Sequence, residues 1–333
     1  MKRREFITVL AGATAGWSIE AHAQRPDRVR RIGALMAQSA DDPTSPSRVA
    51  AFARGLQELG WTVGGNVRID YRWATSDADP VRYATELVAL APDVILATSG
   101  ATVGALQQAS RTVPIVFVTT IDPVGGGWVA SLARPGGNAT GFAAFEFSMS
   151  GKLLELLKEI ATRVTRVAVI RDPSVPAGSG GFAAIQTAAP SFGVELTPIG
   201  VRDAGEIERG IAAFARGPNG GLITVGPPSS VVFHRDLIVA LTARHRLPAV
   251  YPSRIFVNGL ISYGPDAIDQ YRRAAGYVDR ILKGEKPAQL PVLQSTKFEF
   301  VINLQTARAL AVQPMFSLGM IYAPNRDWAA DGD

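Results

Sequence analysis

The residues able to do chemistry in this chain gather at the ends of short apolar runs. Thr98-Ser99-Gly100-Ala101-Thr102 joins a run of buried-strand type to a helical segment. Free backbone N–H groups at a helix start attract an anion, and hydroxyls placed there add donors. Ser99 and Thr102 therefore suit a carboxylate, or else they cap their own helix. Thr119, Thr120 and Asp122-Pro123 bring two hydroxyls and a carboxylate to another such end, where an Asx-Pro turn would use the same residues. Gln38 ends a third run, and Asp172, within Arg171-Asp172-Pro173, ends a fourth. Further along, Tyr251, Phe256 and Tyr263 fall close together, among Tyr251-Pro252-Ser253-Arg254 and Tyr263-Gly264-Pro265-Asp266. Aromatic rings at a cleft sandwich an apolar or aromatic ligand, and the same rings also fill cores.

Covalent chemistry finds little support. The chain has no cysteine, which removes thiol nucleophiles, thiolate metal sites and disulfides. His234 and His245 are the only histidines after residue 23. Both fall on one expected helix, residues 231–245, three turns apart and too far to share a metal. Neither a His-Glu-x-x-His nor a Gly-x-Ser-x-Gly pattern is present, so the two read as solvated helix histidines. Gly178-Ser179-Gly180-Gly181-Phe182-Ala183, with Asp203 further on, has the letters of a dinucleotide fingerprint. Its glycines come seven residues after the strand end at Arg171, across two prolines, whereas the fingerprint must start at once. A mobile loop is expected there. No catalytic residue, metal or cofactor is expected, and Asn138-Ala139-Thr140 reads as a turn before a strand.

The elements that must position these residues alternate. In the first half, strands are expected at 31–36, 67–71, 93–98 and 114–118, with helices at 49–59, 80–90 and 102–110. Phe52, Leu56 and Leu59 share one face of the first helix, which Gly60 ends, and Asp79-Pro80 opens the second. In the second half, helices at 152–161, 182–192, 206–215 and 231–245 alternate with strands at 166–170, 195–201, 221–225 and 249–251. Gly136-Gly137-Asn138 approaches the boundary. Such alternation makes parallel sheets with helices on both faces. The expected fold class is α/β, with two doubly wound parallel-sheet lobes joined by hinge strands. Ligands of open α/β sheets bind outside the carboxyl ends of the strands. Those ends hold the polar residues above, so two facing rims would form a cleft.

Residues 1–23 read as an export signal. Lys2, Arg3 and Arg4 precede an apolar stretch at 6–17, and Ala21-His22-Ala23 is a small-x-small cleavage site ahead of Gln24. About 12 apolar residues are too few to cross a bilayer. Arg3-Arg4-Glu5-Phe6-Ile7 fits a twin-arginine signal and equally a Sec signal with a basic start. Either route places the mature chain, about 310 residues, in the periplasm. No cysteine follows to carry a lipid anchor. With 47% hydrophobic and 19% charged residues the chain is globular rather than disordered. A formal charge of +5, or +4 without the signal, and no dense basic run beyond 25–31 argue against nucleic acid. Arg28, Arg30 and Arg31 read as a solvated linker.

Long strings of the chain resemble one family. They include Ala51-Phe52-Ala53-Arg54-Gly55-Leu56-Gln57-Glu58-Leu59-Gly60-Trp61, Pro114-Ile115-Val116-Phe117-Val118, Asp122-Pro123-Val124-Gly125, and Leu132-Ala133-Arg134-Pro135-Gly136-Gly137-Asn138. Ile261-Ser262-Tyr263-Gly264-Pro265-Asp266 and Val301-Ile302-Asn303-Leu304 continue the match. The chain is similar to ABC-transporter solute-binding proteins of the tryptophan/tyrosine type, with the type I periplasmic binding fold. The resemblance implies a clamshell: lobe 1 at 29–143 plus 264–295, lobe 2 at 144–263 plus 296–320, and a polar tail at 321–333. It implies a monomeric receptor that closes on a small organic solute, an amino acid or an aromatic or carboxylate compound, and delivers it to an inner-membrane permease. The implied ligand contacts are Gln38, Ser99, Thr102, Thr119 and Asp122 from lobe 1, Phe145, Asp172 and Tyr251 from lobe 2, and Asp266 at the second crossing. Amino-acid binders of this fold often carry an acid after the strand that here ends at Val225. This chain has Gly226-Pro227-Pro228, leaving Asp122, Glu146, Asp172 and Asp266 as substitutes. Two other readings stay open: an exported hydrolase using His234 or His245, and a sensing module for a membrane receptor.

Overall fold

The computed structural model describes residues 28–312 and 321–323, apart from 77, 227, 228 and 257. The export signal and the tail past Ala323 lie outside the described residues. The first lobe runs β1 (Arg30–Met36), α1 (Ser45–Glu58), β2 (Val67–Trp73), α2 (Asp79–Ala89), β3 (Val94–Ala97), α3 (Gly100–Ala109), β4 (Ile115–Thr120) and β5 (Ala139–Ala143). The chain then passes to a second lobe. There it forms α4 (Ser150–Ile160), β6 (Arg166–Ile170), α5 (Pro176–Ala188), β7 (Glu195–Ile199), α6 (Ala204–Phe214), β8 (Gly220–Thr224), α7 (Ser229–Phe233), α8 (Arg235–Arg244), β9 (Ala249–Tyr251) and β10 (Ile261–Pro265). It returns to the first lobe as α9 (Ala267–Leu282) and β11 (Leu293–Gln294), and crosses once more into β12 (Phe298–Asn303), α10 (Leu304–Ala309) and β13 (Ile321–Ala323).

Among the described residues the first sheet has six strands in the order β11-β5-β4-β3-β1-β2, all parallel. The second has seven, β13-β12-β10-β9-β8-β6-β7, parallel except where β12 runs antiparallel to β10. Central strands such as β3, with the sequence Val-Ile-Leu-Ala, are buried along their whole length because helices cover both faces. In the first lobe Phe52, Leu56, Tyr271 and Val278 fill one side, and Leu87, Val103, Leu106 and Phe117 the other. The returning helix α9 lies close against α1 at Gly55. A Cβ there would stand 2.7 Å from the Arg272 carbonyl oxygen and 2.8 Å from the Ala275 Cβ, so only glycine fits. Trp61 Nε1 donates to Asp279 across the same seam at 2.9 Å.

Four expectations change. Arg30 and Arg31, expected in a solvated linker, are the first residues of β1 and pair with Asp93 and Asp70. Helix α5 starts at Pro176, so Gly178, Gly180 and Gly181 lie in its first turns and not in a loop. A Cβ on Gly178 would sit 1.8 Å from the Asp172 carbonyl oxygen, and one on Gly180 would be 2.2 Å from the Phe147 ring. The glycines thus allow a helix to pack on neighbouring backbone and ring. The expected helix at 231–245 is two helices, broken at His234, so His234 precedes α8 and His245 follows it. Finally, Ile321–Ala323, the head of the polar tail, is a strand beside β12.

Candidate ligand-binding site

Both lobes wall one cavity of about 50 Å³. The first lobe contributes Gln38 after β1, Arg48 on α1, Thr98 and Ser99 after β3, and Thr119 on β4. Ile121, Phe145 and Pro265 come from the crossing region, and Val232, Pro252, Ser253 and Ile255 from the second lobe. In the first sheet this is the point where strand order reverses between β1 and β3, and helices leave on opposite faces to open a crevice. A space this small holds one or two waters, whereas organic ligands need roughly 300 Å³ or more.

The first-lobe wall is held by bonds between its side chains and its own backbone. Thr98 Oγ1 accepts from the Ala37 N–H at 2.8 Å and donates to the Leu35 carbonyl at 3.2 Å. Thr119 Oγ1 donates to the Thr98 carbonyl at 2.8 Å. Thr119 and Asp122 both have left-handed backbone, with φ of 53° and 39°. Such positions cost about 1–3 kcal/mol and persist only where the surroundings hold them. Here the Thr119 N–H donates to Gln270 Oε1 at 2.6 Å, and the Asp122 N–H to the Phe145 carbonyl at 3.0 Å. Gln270 is fully buried, and its Nε2 also donates to Ser295 Oγ at 2.8 Å. One amide therefore ties the end of β4 to α9 and to the segment entering β12.

Charge is placed unevenly. Arg48 is the charged side chain of the wall, donating to Gln38 Oε1 and lying 5.9 Å from the centre of the Tyr271 ring. Gln38 Nε2 donates to Thr44 Oγ1 at 3.4 Å, and Thr44 Oγ1 donates to Asp42 at 2.7 Å. Asp42 in turn accepts from Arg235 at 2.8 Å, and this ion pair joins the first lobe to the start of α8 in the second. Burial acts to raise the Asp42 pKa, but bonds from Thr44 and Arg235 outweigh it and hold the carboxyl below its ordinary value. Glu299 pairs with Arg254, and there burial prevails and pushes the carboxyl up.

A family model described as ABC transporter substrate binding protein matches residues 36–318, which include every wall residue. The chain belongs to this family. A curated relative, the tyrosine-binding protein of Clostridioides difficile, is 22% identical over 314 residues, covering 93% of this chain and 90% of that protein. The fold is that of the type I periplasmic binding proteins. A conserved domain protein from Vibrio cholerae superposes with a TM-score of 0.78 at 24% identity, covering 86% of this chain and 96% of that one. So does a Streptococcus pneumonia ABC domain in complex with L-Trp, with a TM-score of 0.78 at 21% identity and coverage of 86% and 95%.

In this substrate-binding protein Gln38, Ser99, Thr119 and Phe145 line the cavity. Five other residues expected at the ligand are turned to structural work. Ser99 Oγ accepts from the Thr102 N–H, while buried Thr102 Oγ1 accepts from the Ser99 N–H at 3.0 Å and donates to the Ser99 carbonyl at 2.8 Å. That reciprocal cap satisfies α3 from within. The Trp128 ring covers the helix start, 2.1 Å from where a Gly100 Cβ would be. Asp122 accepts from the Gly125 N–H at 2.8 Å in an Asx turn. Asp172 accepts from the Ser174 N–H at 2.9 Å, away from the cavity, because the second lobe faces it with the end of β9 rather than that of β6. Asp266 caps α9 through the Asp269 N–H at 3.0 Å. Tyr251 is fully buried in the second-lobe core, stacked on Phe256 at 4.7 Å with its hydroxyl 3.0 Å from that of Thr242. Burial drives its pKa up.

Arg48, Gln270 and the Asp42–Arg235 pair were not anticipated. Arg48 stands four residues before Phe52 and so shares the apolar stripe of α1. Gln270 stands four before Ala274 on the buried face of α9. A polar residue on an apolar stripe was the available signal for both.

Proposed function

We propose that this protein is the exported receptor of an ABC importer, closing over a small organic solute and delivering it to an inner-membrane permease. The observation that carries this is the cavity walled by both lobes at the strand ends. A solute shifts the lobes toward closure only by touching both, and the wall residues supply contacts on either side. The three passages of chain between the sheets are few and short enough to act as hinges. The moving bodies are then 29–143 with 266–295, and 144–265 with 296–312. The relatives' named ligands, tyrosine and L-Trp, support an aromatic amino acid or aromatic carboxylate as the solute class. The export signal supports a periplasmic site of action, and a monomer suffices for it.

The test is a thermal-shift panel of aromatic amino acids, aromatic carboxylates and nucleobases on the mature chain, followed by small-angle scattering with each hit. A solute should raise the melting temperature with concentration and shrink the radius of gyration, and mass spectrometry should recover it unaltered. Binding without compaction, or a chemically altered compound, would overturn the reading.

A further inference from the structure

We infer that the cavity selects an organic carboxylate carrying no ammonium group, with Arg48 as the group that receives the carboxylate. The inference rests on the receptor function proposed above and narrows its solute class.

Arg48 is the charged side chain of the wall; no carboxylate among the described residues stands within ion-pair distance of it, and Glu299 acts on it only at longer range. Its contacts are a neutral amide oxygen and the face of a tyrosine ring. Arg48 is half-buried, where a guanidinium gains more from an anion than it does in open water, and its planar fork matches a carboxylate in two parallel bonds. On the same wall Thr98 and Thr119 already donate their hydroxyl protons to the Leu35 and Thr98 carbonyls, which leaves Arg48 as the main donor for a carboxylate. The acids nearby are already engaged. Asp42 is held by Arg235 and Thr44, Glu299 by Arg254, Asp122 by the Gly125 N–H, and Asp266 by the Asp269 N–H. In sequence, residues 226–230 after β8 are only glycine, proline and serine. No aspartate or glutamate is among the residues that line the cavity, so a zwitterion would meet a cation for its carboxylate and no lining carboxylate for its ammonium. Burying that ammonium unpaired is costly. The second-lobe wall of Val232, Pro252 and Ile255 suits an apolar body. Arg48 also begins the hydrogen-bond chain through Gln38 and Thr44 to the Asp42–Arg235 pair, so an anion bound there joins the network that bridges the lobes.

Calorimetry with matched probes tests this on the mature chain: 3-phenylpropionate, L-phenylalanine and 3-phenylpropionamide, and the same three forms built on indole. The acids should bind at least about tenfold tighter than the amino acids and the amides. Arg48→Gln should weaken the acids by about ten- to a hundredfold, and Arg48→Lys by less. Circular dichroism and the ligand-free melting temperature check that each variant folds, and the probe comparison on the native chain needs no variant. Amino acids that bind as tightly as the acids and compact the protein would overturn the inference while leaving the receptor function standing. Acids whose affinity survives Arg48→Gln would overturn it too. Silence from every probe, with no compaction, would count against both.

Discussion

The first lobe meets the cavity with Gln38, Arg48, Thr98, Ser99 and Thr119, the second with Val232, Pro252, Ser253 and Ile255. Yet the core strand orders are the same, β2-β1-β3-β4-β5 in one sheet and β7-β6-β8-β9-β10 in the other. The difference lies in which strand end each lobe presents. The first offers the crevice where its strand order reverses; the second offers chiefly the segment after β9, with Val232 of α7 beside it. A repeated topology therefore does not repeat the site. One wall is polar, with its hydroxyls oriented by bonds to backbone. The other is mostly apolar and is fastened to the first by the Asp42–Arg235 pair.

The largest effect that sharpens this contrast belongs to Tyr251. As a core residue of the second lobe, Tyr251→Ala should cost about 3–5 kcal/mol of stability, as large aromatic truncations do. Tyr251→Phe should cost about 1 kcal/mol through the lost bond to Thr242. Denaturant titration measures both. A normal midpoint combined with weakened solute binding would return Tyr251 to the cavity wall.

Next comes the fastening itself. Asp42→Ala should favour the open form by about 1–3 kcal/mol, the range for a bond between charged groups. Scattering should then show a larger radius of gyration at neutral pH, and an unchanged radius would remove the pair from closure. Because the Asp42 pKa is lowered on folding, its contribution is fully present above the ordinary carboxylate pKa and is lost as pH falls through the depressed value. The radius of the native chain should hold constant from about pH 5 to 8 and rise only in stronger acid.

The smallest effect separates two uses of one turn. Thr102→Ala should cost about 1 kcal/mol of stability, because the α3 cap loses its partner, and leave solute affinity alone. Loss of affinity at unchanged stability would mean that the helix start binds the solute after all.

Local pattern carried much of the fold. Short apolar runs such as Val94–Ala97, amphipathic stretches such as the one bearing Phe52 and Leu56, and the Asp79-Pro80 start sit close to where the strands and helices stand. The Gly178–Gly181 run misled, because its glycines answer to contacts with Asp172 and Phe147 rather than to local flexibility. The cap between Ser99 and Thr102 was legible as one of two uses of that loop, and Trp128, 26 residues beyond Thr102, closes off the other.

By itself, then, the sequence determined the βαβ alternation, the strand ends as polar rims and the family. Each depends on periodicity, turn residues or contiguous strings, all set within a few residues. The tertiary structure alone decided which rim residues face the cavity and which charges meet. Thr119 finds Gln270 at a separation of 151 residues, and Asp42 finds Arg235 at 193. No local preference encodes such pairings. They follow from how α9 returns to α1 and how the second lobe turns the end of β9, not that of β6, toward its partner.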